Sequence, residues 1–155
     1  MSDRRQSLHR IEQEVGVLIR RVRRVIGDRA RAVHPDLAPG SYLLLAHLAE
    51  SGPLRASALV GEIGIDKGAL SRQVQHLVDL GLLTRTDDPD DRRATLLSVS
   101  DDARERLDRV QRERSERFGQ KLGDWSDEEL ADLAGRLSRY NAALDQAGST
   151  AGMVR

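Results

Sequence analysis

The chain has no cysteine, one Trp, one Phe and two Tyr among its 155 residues. The missing cysteines exclude disulfides, thiolate metal centres and thiol redox sensing together. With aromatics at 3% and hydrophobic residues at 39%, the core must be built from Leu, Val, Ile and Ala, the composition of a helix-rich protein. No apolar run approaches the ~18 residues of a membrane span. The opening Met-Ser-Asp-Arg-Arg-Gln also lacks the apolar stretch of a signal peptide, so no membrane partner and a cytoplasmic location are expected. An excess of either charge is absent too: 25 basic residues face 25 acidic ones, unlike the basic balance that often flags nucleic-acid binding. The length suits one domain or two small lobes sharing a core and excludes a multi-domain enzyme.

Catalytic signatures are lacking as well. His9, His34, His47 and His76 form none of the i, i+3 or i, i+4 pairs of a local metal site. There is neither a glycine-rich phosphate loop nor a serine nucleophile elbow. The expectation is a protein that is not an enzyme and has no catalytic residues, cofactor or metal.

What is present is regular apolar spacing at both ends. Leu8, Ile11, Val15, Leu18, Val22 and Val25 recur at intervals of three and four, one stripe of a helix from about Ser7 to Ala32. Leu130, Leu133, Leu137, Tyr140 and Leu144 repeat the rhythm after Ser126-Asp127-Glu128-Glu129, which reads as a capping box. An earlier helix starts at Ser100-Asp101-Asp102 and carries Leu107, Val110, Phe118 and Leu122. Such seams pack within one chain or against a second copy; on a chain this short, long seams at both ends favour the second copy. Charge is also uneven. Arg4 to Arg31 holds nine arginines against Glu12, Glu14 and Asp28, whereas the chain from Asp101 onward is acidic. The basic helix is either a solvated face or one that lies near phosphates.

Between the seams, Tyr42 to Ala49 reads as a short buried helix stopped by Ser51-Gly52-Pro53. A second runs from about Ala56 to Ile63 and ends at Gly64. A third opens at Ile65-Asp66 and stops at Gly81. Two helices joined by a glycine turn make a helix-turn-helix. Next, 82–86 and 95–99, rich in Leu, Thr and Val, flank an Asp- and Pro-containing linker over 87–94, the pattern of an antiparallel hairpin, or wing. The expected fold is therefore mainly α with a small β-hairpin. It comprises a first dimerisation helix (1–34), a winged helix-turn-helix domain (35–100), C-terminal dimerisation helices (101–146) and a flexible tail (147–155).

Leu70, Val74 and Leu77 share one face of the third helix. Gly68, Arg72, Gln75 and Asp79 take the opposite face, flanked by Ser71 and His76. Arg makes paired hydrogen bonds to guanine, Gln to adenine, and Ser reaches a base or a phosphate. At the wing, Asp91-Arg92-Arg93 puts arginine where a minor groove would lie. Asp91 is expected to hold the Arg93 guanidinium by a charge-assisted bond, while Asp87, Asp88 and Asp90 would repel phosphate and are left unaccounted for by the sequence.

In order along nearly the whole chain, Gly52-Pro53-Leu54, Gly64-Ile65-Asp66-Lys67, Val74 through Gly81-Leu82, Arg85, Asp88 to Arg93 and a Ser100-capped helix resemble the MarR family, the multiple-antibiotic-resistance regulators. The wing is the most specific part, although Val99-Ser100 stands where the family carries Leu-Thr. The resemblance implies a homodimer whose terminal helices interlock and present two winged helices to a palindromic operator in double-stranded DNA. It puts Lys67, Gly68, Ala69, Ser71, Arg72 and Gln75 at the major groove, and Arg93 of the Asp91, Arg92, Arg93 wing in the minor groove. Gly68 departs from the usual hydroxyl residue, and a helical glycine costs about 0.5–1 kcal/mol relative to Ala. A repressor role and a small aromatic or phenolic effector are implied in the same way. No motif identifies the effector's contacts, which would be sought from His34 to Leu44 and in the first and fifth helices. A helical protein-interaction module that does not bind DNA is the competing reading, favoured by net neutrality and the acidic wing; a metal-sensing winged helix is weakened by the absent cysteines.

Overall fold

The computed structural model describes residues 2–151. These form six helices and three strands in the order α1 (Ser2–Val33), α2 (Pro39–Ser51), β1 (Leu54–Arg55), α3 (Ala56–Ile63), α4 (Lys67–Asp79), β2 (Leu83–Asp88), β3 (Asp91–Val99), α5 (Asp101–Lys121) and α6 (Asp127–Ala151). They divide into two compact units, Met1–Arg112 and Glu113–Arg155.

In the first unit α1 starts well before Ser7, because Arg4, Arg5 and Gln6 are good helix formers and Asp3 lies in the first turn, where a carboxylate is favoured. Only its last turns enter the core, through Ala30 and Val33 with Ile26 beside them. Leu8, Ile11, Leu18, Val22 and Val25 stay exposed. α2 takes Pro39 in its first turn, where the missing N–H is harmless. It buries Leu44, Leu45 and Leu48.

α3 ends on Gly64 in the left-handed region, φ 67°, a conformation that a β-carbon disfavours. Asp66 then caps α4, its carboxylate accepting the Ala69 N–H at 3.0 Å. α4 closes with Leu82 N–H bonded to Leu77 O and Gly81 N–H to Val78 O, both at 2.9 Å. This paired bonding is a Schellman motif with Gly81 at its left-handed position, φ 70°. Leu70, Val74 and Leu77 are buried, and fully burying one such side chain contributes about 1.5–3 kcal/mol.

The sheet is antiparallel with strand order β1-β3-β2. Both wing strands are longer than their sequence suggested: β2 runs to Asp88 and β3 begins at Asp91, so Pro89 and Asp90 alone form the turn. β1, only Leu54 and Arg55, pairs with Leu97 and Leu96 and had no sequence signature. Leu83, Leu97 and Val99 root the hairpin in the core.

Ser100 joins wing to helix, donating its hydroxyl to Gly81 O at 2.8 Å and accepting Ala103 N–H at 3.2 Å. α5 is tied back by Arg104 Nη1 to Ala49 O at 3.2 Å and by Arg106 Nη1 to Val33 O at 3.1 Å. The second bond satisfies a carbonyl at the open end of α1.

The second unit contains the end of α5 and α6. Its capping box forms as the sequence predicts: Ser126 N–H donates to Glu129 Oε2 at 2.8 Å, and Glu129 N–H to Ser126 Oγ at 3.2 Å. None of residues 113–144 is buried; Phe118, Trp125, Leu133, Leu137 and Leu144 are exposed. α6 continues through Ala151, into the stretch read as a tail from 147, and 152–155 lie outside the described residues.

Leu77 anchors α4 with no exposed surface. Leu77→Ala is therefore expected to lower unfolding free energy by about 2–5 kcal/mol, measured by urea denaturation.

Candidate nucleic-acid interface

With Leu70, Val74 and Leu77 turned into the core, helical geometry sends Lys67, Gly68, Ser71, Arg72 and Gln75 to the exposed side of α4. Ala69, the sixth residue expected there, is half-buried and supplies its N–H to the Asp66 cap. Gln75 Nε2 donates to Asp79 Oδ1 at 2.7 Å, which orients the amide along the helix surface.

Gly68 has a geometric reason. A β-carbon there would come within 3.1 Å of Asp66 Oδ2 and 3.6 Å of Arg72 Nη1, so glycine leaves room for the capping carboxylate beside the outward arginine. The C-terminal half of α4 is held by His76, whose Nε2–H donates to Asp36 O at 3.2 Å. The Asp36 N–H in turn donates to His34 Nδ1 at 3.1 Å. His47 Nε2 donates to Glu62 Oε2 at 2.8 Å, across α2 and α3. Among the described residues no three His, Asp or Glu side chains gather as a metal site.

The wing changes the reading of its acids. Asp88, expected to repel phosphate, is buried at 5% exposure. It accepts Arg55 Nε at 2.6 Å and Asp90 N–H at 2.9 Å. The bond from the Asp90 backbone and that from the Arg55 side chain hold its carboxyl below the usual carboxylate range, while Asp88 raises the Arg55 guanidinium. Asp91 does not hold the Arg93 guanidinium as expected: its Oδ1 accepts the Arg93 backbone N–H at 3.0 Å, an Asx-type turn bond. Arg93 is exposed, and the Arg92 side chain lies outside the described residues. Nothing in the structure explains Asp87.

Arg55 was absent from the sequence reading because 33 residues separate it from Asp88 and no local pattern joins them. Asp88-Pro89-Asp90 signalled a turn but not the direction of the first carboxylate.

Under α4 lies a cavity of about 480 Å³ between α3, α4 and the hairpin. It has Val60, Leu70 and Leu97 on its apolar side and Lys67, Ser71 and Arg85 among its polar lining. It is remote in sequence from the His34–Leu44 stretch singled out for an effector.

Comparison with known proteins agrees with this architecture. A family model described as MarR family matches residues 36–94. The chain is 35% identical over 134 residues to a Bacillus subtilis (strain 168) protein named "Uncharacterized HTH-type transcriptional regulator YxaD", covering 86% of this chain and 92% of the relative. Among solved structures it is similar to RV1404 from Mycobacterium tuberculosis, with TM-score 0.74, 20% identity and coverage of 88% and 93%. It is likewise similar to a putative MarR family transcriptional regulator from Listeria monocytogenes complexed with 26mer DNA, with TM-score 0.66, 21% identity and coverage of 92% and 95%.

The Asp88 environment predicts an acid-sensitive contribution to stability. Because the folded carboxyl is held low, the contribution is complete above the ordinary carboxylate range and is lost as pH falls through the folded value. The stability gap between the unaltered protein and Asp88→Asn is expected to be constant near neutrality and to narrow on acidification. Urea melts across acidic pH check this, and a gap independent of pH would refute it.

Proposed function

Given that this chain belongs to the MarR family of transcriptional regulators, we propose that it binds double-stranded DNA as a homodimer and acts as a ligand-responsive repressor on a palindromic operator. The observation that carries the reading is the exposed row Lys67, Ser71, Arg72 and Gln75 on α4, backed by three buried residues and followed directly by a ribbon carrying exposed Arg93. A helix fixed by its core face and polar on the other suits a major groove. An arginine on an adjoining ribbon suits the minor groove, where the potential is most negative when the groove is narrow. The Listeria relative solved with a 26mer DNA supports the same use of the fold.

Dimerisation is supported by apolar residues left uncovered in the single chain: Leu8, Ile11, Leu18, Val22 and Val25 of α1, and Leu133, Leu137 and Leu144 of α6. Large apolar side chains exposed in a row along a helix mark an interaction site. Two recognition helices on one dimer call for half-sites about one helical turn apart. The domain division 1–34, 35–100 and 101–146 belongs to this proposal.

For the effector, the cavity under α4 has a volume within the range of small-molecule sites. Its apolar and cationic lining suits a small aromatic or phenolic anion. Lys67 and Ser71 belong both to this lining and to the groove-facing row, so an occupant there would disfavour the DNA-competent arrangement, a shift in population.

Selection of bound fragments from a genomic library, followed by gel-shift titration of the recovered duplex with candidate ligands, tests the reading. Affinity is expected to fall steeply as salt rises; a salt-independent interaction would favour the protein-interaction module instead. Arg93→Ala is expected to weaken binding while sedimentation still reports a dimer. Arg72→Ala is expected to lose about 1–3 kcal/mol and relax base preference at one half-site position. An Arg93→Ala titration that overlays the unaltered protein would remove the wing from the interface.

A further inference from the structure

Asp88 and Ser41 are the polar or charged side chains buried among the described residues, and Asp88 lies at the far end of the wing. A two-stranded ribbon is too thin to bury a carboxylate by itself. Beside the local Asp90 N–H, the donor that permits it is the side chain of Arg55, from β1 immediately before α3, itself 44% exposed. The bond therefore runs from the end of the wing to the first helix of the helix-turn-helix. It spans the sheet across β3, since β1 and β2 lie on opposite sides of that strand. At the same point the pairing register shifts between Asp87 and Asp88, which bends the ribbon locally. Asp91 then fixes the Arg93 backbone, so the two carboxylates act in series. One ties the hairpin end to the helical domain, and the other sets the chain direction at the arginine.

We propose that Arg55 and Asp88 form a clamp that holds the wing against the helix-turn-helix, making both of them positioning residues for the groove contact of Arg93. The proposal rests on the DNA-binding reading above. Without the Arg55 bond the hairpin keeps its root at Leu83, Leu97 and Val99, while its outer end loses its tie to the helical domain. Arg93 then samples many directions, and its contact loses the advantage of being pre-arranged.

The test uses Arg55→Gln, a change at a substantially exposed side chain that leaves the backbone bond within the Asp88 turn in place. It also uses Asp88→Asn, Arg93→Ala and the double variants, all as the full-length protein with the duplex recovered by selection with the unaltered protein. Arg55→Gln and Asp88→Asn are each expected to weaken binding about tenfold, and Arg93→Ala is expected to weaken either variant by a clearly smaller factor than it weakens the unaltered protein, the signature of coupled residues. Losses that multiply in full would overturn the clamp, because a merely structural or direct phosphate role for Arg55 does not depend on Arg93.

Amide exchange without DNA supplies a second readout. Arg55→Gln is expected to speed exchange of the Arg93 amide about tenfold or more while leaving the Leu77 amide unchanged; equal protection of Arg93 in both proteins would also overturn the clamp. Failure of the unaltered protein to bind any duplex would instead overturn the DNA-binding reading and, with it, this use of the clamp. Binding with fully multiplicative losses would overturn the clamp alone.

Discussion

A carboxylate with 5% of its surface exposed at the end of a thin ribbon is the most demanding feature of this fold. Leaving such a charge without donors costs several kcal/mol, and its surroundings must supply them. Arg55 provides one, from the two-residue strand β1 ahead of α3. The Asp90 backbone provides another, which requires the chain to turn immediately after Asp88. The short turn, the register shift and the third strand thus belong together around one buried charge. An acidic wing that looked unsuited to DNA becomes an ordered one.

The helical half solves a different problem, that of holding α4 firmly while leaving one side free. Asp66 fixes its start, the Schellman turn at Gly81 fixes its end, and Leu70, Val74 and Leu77 fix its rotation. Ser100 then links that end to α5 by bonding Gly81 O and Ala103 N–H together. The serine accounts physically for the hydroxyl at the close of the wing motif: it is shared between the turn after α4 and the first turn of α5. α4, the hairpin and α5 consequently meet at one hydrogen-bonded junction, and the outward row on α4 is displayed from a rigid base.

Much of this was legible in the sequence because it is local. The period of Leu70, Val74 and Leu77, the glycines at 64 and 81, and the Ser126–Glu129 box each carry their signal within a few residues. What was not legible is long-range or too short to have a period. β1 has two residues. Along the outer wing Arg85, Thr86, Asp87, Arg93 and Thr95 are exposed, so its strands lack the apolar alternation that marks a half-buried strand, and the sequence pattern makes the hairpin too short. Asp91 was assigned to the Arg93 side chain because charge suggested it, whereas the backbone N–H lies in reach through the local turn. The Arg55–Asp88 pair could not be read at all, since it depends on a tertiary approach between distant segments.

Net neutrality also takes on a different meaning once partners are assigned. On α4 and the wing, Asp66 accepts a backbone N–H, Asp79 accepts from Gln75, Asp88 from Arg55 and Asp91 from the Arg93 backbone. None of the ion pairs found among the described residues engages Lys67, Arg72, Arg85 or Arg93. These four acids are occupied as acceptors, whereas Asp87 and Asp90 stay exposed, and the cations are left without carboxylate partners. At distances beyond a Debye length, about 8–10 Å, a phosphate backbone would meet a nearly neutral protein and be steered weakly. At contact it would meet a few unpaired cations on fixed supports. A surface of that kind favours discrimination by placement over capture by bulk charge, which is the behaviour required of a protein that must leave most DNA unbound.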